Sequence, residues 1–480
     1  AGLRFPSELL AVDQMSGPQS LGDVMRQQPA RTAADYADLL ARLRAIPRVL
    51  AETRALLDSG LAVGVTPPQV TLRDVPAQVD GLLTADVDHN PLTEAFTRIP
   101  AAVPAAVRAR LRDDARAVLD SAVIPAYRAL RAYLAATYVP RARTSIALSA
   151  LPDGAAWYAY NVRRETTTDR TPAEIHAIGL AEVARIRTAL DSVMRATGFA
   201  GTAAEFAHML RTDPRFFVRD SASLVRAYRD VAKRVDPGLI RLFGRLPRTP
   251  YGVETIPAFA APSQTTAYYR AGSPDAGRPG MFMVNTYRVD TRPTWEMEAL
   301  TLHESVPGHH LQIALAQELG ALPEFRRYAS YTAFTEGWGL YAESLGDELG
   351  MYKDPYSKYG QLTYEMWRAL RLVLDTGIHT MGWSREQAVR YFVENSAKAE
   401  HDIDVEVDRY IVWPGQALAY KSGELQIRAL RAEAERALGV RFDVRAFHDE
   451  VLGAGSLPLD VLTGRVRTWV AQQAGHTSIP

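Results

Sequence analysis

Three of the chain's 10 histidines crowd into Leu302-His303-Glu304-Ser305-Val306-Pro307-Gly308-His309-His310-Leu311-Gln312, and a glutamate directly follows the first. His-Glu is the opening of the zincin pattern, in which two histidines on one helical face bind zinc and the glutamate beside the first acts as general base. Here proline stands where the second histidine of that pattern belongs. On a straight helix a residue six positions on is turned by about 240° and raised by about 9 Å, so His303 and His309 could not share a metal. His310 returns to the face of His303 but lies about 10.5 Å along the axis. Pro307 cannot donate to the His303 carbonyl, and its ring collides with it. With Gly308 alongside, the helix is expected to break or bulge and swing a second histidine back toward the first. Spacing alone leaves both His309 and His310 open as that ligand. The competing reading is a helix end that merely carries three histidines.

Two histidines need a further carboxylate to complete such a site. Thr335-Glu336-Gly337-Trp338-Gly339-Leu340-Tyr341-Ala342-Glu343 offers two. Glu336 sits among apolar and aromatic neighbours, where a metal explains a carboxylate better than solvent does. Glu343 falls on the same helical face and suits a partner that orients a histidine ring, or else a surface acid. Arg371, Asp375 and His379 recur at every fourth position and form a polar ladder on an apolar helix. An intrahelical ion pair explains the first two, which leaves His379 as a transition-state hydrogen-bond donor or substrate contact. In Tyr410-Ile411-Val412-Trp413-Pro414-Gly415-Gln416-Ala417-Leu418-Ala419-Tyr420, Gln416 and Tyr420 share a face after a Pro-Gly turn. Tyr420 suits a donor aimed at an oxyanion, and Tyr410 is the weaker candidate, better read as core. Upstream, Asn285 and Arg288 could hold an extended peptide or meet a substrate carboxylate.

Most of the chain that must position these groups reads as helix. Apolar residues at three- and four-residue spacing predict helices over Thr32–Ser59, interrupted at Pro47, and over Ala105–Val139, Pro172–Thr197, Thr202–Thr212 and Ser221–Val235. Thr249–Asp290 is rich in Pro, Gly, Ser and aromatics and predicts two or three short strands, one of them in Gly280–Thr286. A further short strand is expected near 155–165, and helices resume after Arg292. The expected fold is mainly α with a small β element before the metal-binding helix. The organisation read from the sequence is an N-terminal helical region over 1–150 and a catalytic region over 151–480, with no clean boundary and room for one continuous domain.

Composition narrows the function classes. The 480 residues carry 55 basic and 55 acidic side chains, so no basic excess points to nucleic acid. Cysteine is absent, which excludes disulfides, thiolate zinc sites and cysteine nucleophiles. No apolar run is long enough to span a membrane. The opening AGLRFPSELLAVDQ has neither a charged n-region nor an apolar h-region, so no signal peptide is expected in this form.

HESVPGHHLQ, EGWGLYAE, RLVLDTGIH and PGQALAYKSG occur in this order. Together they resemble the bacterial family catalogued as domain of unknown function 885, from about residue 150 to 465 and more weakly upstream. Its members are regarded as metallopeptidases, so the resemblance implies a large helical zinc-peptidase-like architecture with a deep cleft. It also implies export, often as a lipoprotein, and a longer N-terminal segment than this sequence begins with. The histidine after Pro-Gly is the regular one in that family, which favours His309 over His310. The expectation is one zinc ion on His303, His309 and Glu336, with Glu304 as general base and Tyr420 and His379 at the oxyanion, cleaving a peptide or small amide substrate. A zinc amide or ester hydrolase acting on a non-peptide small molecule would look the same. A non-catalytic metal- or peptide-binding protein would not need Glu304. Substrate identity, endo- against exopeptidase action and oligomeric state are not readable from the sequence.

Overall fold

The computed structural model describes residues 2–475 except 258–260, 262, 263, 275, 276 and 399. The fold is mainly α with one small sheet, as the hydrophobic periodicity predicts. Two compact units divide the chain: the first comprises 1–160, 378–385 and 405–413, and the second 161–377, 386–404 and 414–480.

In the first unit the leading element is the helix Ala33–Val63. Thr32 and Asp35 close its start by a reciprocal capping box, at 3.2 and 2.9 Å. Pro47 does not interrupt it. The buried stripe Leu39, Leu43, Ile46, Leu50 and Leu57 continues through the proline, and its burial outweighs the roughly 3 kcal/mol that an interior proline costs. Ala105–Val118, Ile124–Tyr133 and Val139–Arg141 form one helical path joined by π turns at Leu119–Val123 and Leu134–Tyr138. The carbonyls that the rings of Pro125 and Pro140 would strike belong to Ser121 and Ala136, and both lie inside those wider turns.

The strand expected near 155–165 is instead the helix Gly154–Thr166. Its buried positions, Trp157, Tyr158, Asn161, Val162 and Thr166, follow a period of three to four, which a strand could not bury on one side.

In the second unit the strands are β1 (Tyr251–Thr255), β2 (Ala267–Arg270) and β3 (Gly280–Val284), in the order β1-β3-β2. β3 is parallel to β1, antiparallel to β2 and buried at every position, so it is the apolar centre of the sheet. Around it run the motif helices Met297–Glu304 and His309–Gln317, the Glu336 helix Thr332–Ser344, the long helix Pro355–Thr380 and the Tyr420 helix Ala419–Leu438. The Glu336 and Tyr420 helices cross at glycines: a Cβ on Gly337 would lie 2.5 Å from Gly423 Cα, and one on Gly423 would lie 1.8 Å from the Ala333 oxygen. Only bare backbones allow this approach. No helix among the described residues is long and apolar enough to cross a membrane.

Candidate metal centre

The helical break falls where the histidine spacing requires one. One helix ends at Glu304 and the next starts at His309, with Ser305–Gly308 between them. Ser305 N–H still closes on the Thr301 carbonyl at 2.9 Å, and His310 N–H restarts the pattern on the Ser305 carbonyl at 3.0 Å. Gly308 packs so tightly that a Cβ would lie 1.9 Å from the His303 oxygen and 2.4 Å from that of Leu302. Trp338 Nε1 donates to the Pro307 carbonyl at 2.8 Å and ties the break to the Glu336 helix. The His303 and His309 rings consequently face each other at 84°, with centroids 4.6 Å apart.

Glu336 meets both. Its Oε2 lies 3.5 Å from His303 Nε2 and 3.5 Å from His309 Nε2, and ligand atoms of the three residues all fall within 4.8 Å of one another. Tetrahedral ligands held at about 2.0–2.1 Å from a shared zinc sit about 3.3–3.4 Å apart, so the two Glu336 separations suit a shared ion. Glu343, buried, accepts from His303 Nδ1 at 2.8 Å. That bond fixes a proton on Nδ1, so a metal that displaces the Nε2 proton would find that nitrogen aimed at the position it shares with Glu336. Gly339 makes room for the ring, since a Cβ there would lie 2.7 Å from His303 Cε1. Burial alone would hold His303 neutral, but Glu336, Glu343 and Glu304 outweigh it and raise its pKa to about 10. Burial likewise acts to raise Glu336, and the two histidines more than reverse it, holding its pKa well below the usual range. Both shifts express one demand, for positive charge at this point. Two imidazoles and one carboxylate make a donor set of the kind that holds a divalent metal ion.

Glu304 is buried, and among the described residues its carboxylate accepts no hydrogen bond. His310 is not part of the centre. Its Nε2 donates to the Thr249 carbonyl at 3.1 Å and its Nδ1 lies 2.9 Å from Tyr269 Oη, so it fastens the sheet to the second motif helix. Burial depresses its pKa to about 4. Tyr420 stands one turn before Gly423 on the helix that crosses the Glu336 helix. The buried Arg371 guanidinium lies 4.3 Å from its ring centroid and 4.5 Å from that of Trp367. Asp375 has a different task, accepting from Gly415 N–H at 3.0 Å and fixing the turn that leads into Gln416, which is half-buried.

Three expected contacts are corrected, those of His379, Asn285 and Arg288, while Tyr410 is core, the reading preferred for it. His379 belongs to the first unit, fully buried, with Leu148 N–H donating to its Nδ1 at 2.9 Å and its Nε2 donating to the Tyr410 carbonyl at 3.0 Å. Both ring nitrogens are thus occupied, and burial lowers its pKa to about 4, so it has no proton to offer an oxyanion. Tyr410 is core in the same unit, its hydroxyl donating to Glu406 at 2.8 Å. Asn285 is buried and spends its amide on the carbonyls of Ala261, Gln264 and Thr265. Arg288 is exposed and chelates Asp290 at 2.9 and 2.8 Å.

Sequence reasoning missed Trp338, Gly339, Arg368 and Lys421. Arg368 Nη2 lies 3.9 Å from Glu343 Oε1. Fully buried Lys421 holds Glu182, Glu365 and Glu424 at 3.0, 2.8 and 2.5 Å. Glycines flanking Trp338 were the available signal for close packing; nothing local marks Lys421 as an ion-pair hub.

The sequence model of the family described as "Bacterial protein of unknown function (DUF885)" matches residues 3–466. A solved structure described as "the putative lipoprotein from Colwellia psychrerythraea" superposes with a TM-score of 0.92 at 32% identity, covering 96% of this chain and 81% of its own. Another, described as "a putative lipoprotein of unknown function from Shewanella oneidensis", gives 0.69 at 17% identity, with 93% and 82% covered. The second shares the fold alone. No curated protein matches.

Proposed function

We propose, from the premise that the chain belongs to the bacterial DUF885 family, that it is a zinc-dependent hydrolase cleaving peptide bonds, in short peptides. The observation that carries this reading is the convergence of His303, His309 and Glu336 ligand atoms within 4.8 Å, with Glu304 adjacent to His303 in sequence. A bound zinc would supply Lewis acidity and make water a nucleophile near neutral pH. Glu304 takes the proton of the attacking water and returns it to the leaving amine. Its side chain is not committed to any hydrogen bond among the described residues, which supports that role. Tyr420 donates to the oxyanion, its ring held by Arg371. Glu343 keeps His303 in the tautomer that binds metal. The lipoprotein description of the Colwellia psychrerythraea structure, 32% identical to this chain, supports an exported location.

A peptide-library digest read by mass spectrometry tests the activity. The zinc-loaded chain should cleave peptides and Glu304→Gln should not. Turnover confined to non-peptide esters or amides would replace the substrate class.

A further inference from the structure

A pocket of roughly 230 Å³ opens in the second unit, walled by Trp295, Tyr364 and Trp367. Drug-sized ligands occupy about 300–1,000 Å³, so this volume suits one group of a longer ligand. Three cations line it: Arg211, which donates from Nη1 to the Ala397 carbonyl, Arg292 and Lys398. Lys398 Nζ lies 3.9 Å from the Trp367 ring centroid. Arg292 is half-buried and donates from Nη1 to Thr266 Oγ1 at 2.9 Å, yet no carboxylate lies within ion-pair distance of it among the described residues. A guanidinium presents five donors and is rarely buried without an acid, so this one lacks an acceptor that a ligand can bring.

None of the pocket's acids reaches Arg292 within ion-pair distance, although the charges of Lys398 and Arg292 act on Glu296 and that of Arg292 on Asp290. Asp290 is chelated from outside by Arg288. Glu296 accepts from Tyr364 Oη at 3.2 Å, and burial raises its pKa toward the neutral form. Asp402 stands exposed at the rim.

The pocket walls also lead to the metal centre. The Arg368 guanidinium lies 4.7 and 4.5 Å from the Tyr364 and Trp367 ring centroids and 3.9 Å from Glu343, which holds His303. Arg371 lies over both Trp367 and Tyr420. Glu296 directly precedes the helix that carries His303 and Glu304, a rise of about 10 Å, or about three residues of extended peptide.

We infer that this pocket is a substrate subsite that binds a carboxylate-bearing group of the peptide, against Arg292 and Lys398 with its apolar part on the aromatic walls. The inference rests on the peptide-hydrolase reading. The carboxylate is a peptide's C-terminus or an acidic side chain, and the test separates them.

Calorimetric titration of the zinc-stripped full chain should compare N-acetyl-phenylalanine, N-acetyl-phenylalaninamide and N-acetyl-glutamic acid α-amide. At least one carboxylate should bind roughly tenfold or more tighter than the phenylalaninamide, and the one that does identifies the source. Arg292→Gln should abolish that preference, and Lys398→Gln, on a surface segment, should reduce it if the first variant fails to fold. Equal binding of amide and carboxylates, or a preference untouched in both variants, would overturn the subsite. Because neither metal nor turnover enters this measurement, its failure leaves the zinc-hydrolase reading standing.

Discussion

Glu343 accepts the Nδ1 proton of His303 at 2.8 Å, from a position on the same helix as the ligand Glu336. One helix thus supplies both a metal ligand and the group that fixes the tautomer of another. The glycine between them, Gly339, provides the room that the His303 ring occupies.

Glu343→Gln should therefore weaken zinc binding by about 10–100-fold while the chain stays folded. A competition titration against a chelator measures this, with circular dichroism as the control. An unchanged affinity would show that His303 does not depend on Glu343.

Gly339→Ala places a methyl 2.7 Å from the His303 ring. The ring must turn away, so zinc affinity should fall while helix content remains. The same substitution at Gly320, where a Cβ meets nothing within 4 Å, should leave zinc affinity unchanged.

Trp338→Phe removes the donor to the Pro307 carbonyl and keeps most of the apolar volume. A buried acceptor left unpaired costs about 1–3 kcal/mol. Urea unfolding should register that loss. A change below a few tenths of a kcal/mol would mean the break holds itself without Trp338.

Much of the centre was legible because the residue types left few solutions. His303 and His309 cannot share a metal on a straight helix, and Pro307-Gly308 is a breaker placed where the geometry needs it. Glu336 stood out as an acid among aromatic residues. His379 misled because a regular ladder on one helix says nothing about the Leu148 and Tyr410 backbone that fills its ring nitrogens. The segment near 155–165 misled because a short aromatic run fits both periods, and tertiary burial chose the helical one. The first unit draws in 378–385 and 405–413, contacts of long sequence separation that no local pattern encodes.

Three buried histidines set an acid limit. Burial lowers the pKa values of His310 and His379 to about 4 and that of His448 to about 3, against about 6.5 in the unfolded chain. The unfolded state then binds more protons below pH 6.5. Stability is full above that value and is lost as pH falls toward 4, by about 1.4 kcal/mol per pH unit for each histidine. Unfolding curves at pH 7, 6, 5 and 4 check the slope, which should become shallower in a folded His448→Gln variant.

The most direct test of the account is zinc stoichiometry after dialysis, measured by elemental mass spectrometry on the native chain and on His309→Ala and His310→Ala. One zinc should be found per native chain, lost in His309→Ala and retained in a folded His310→Ala. A native chain that takes up no zinc, or a His309→Ala chain that keeps it, would contradict the centre proposed here.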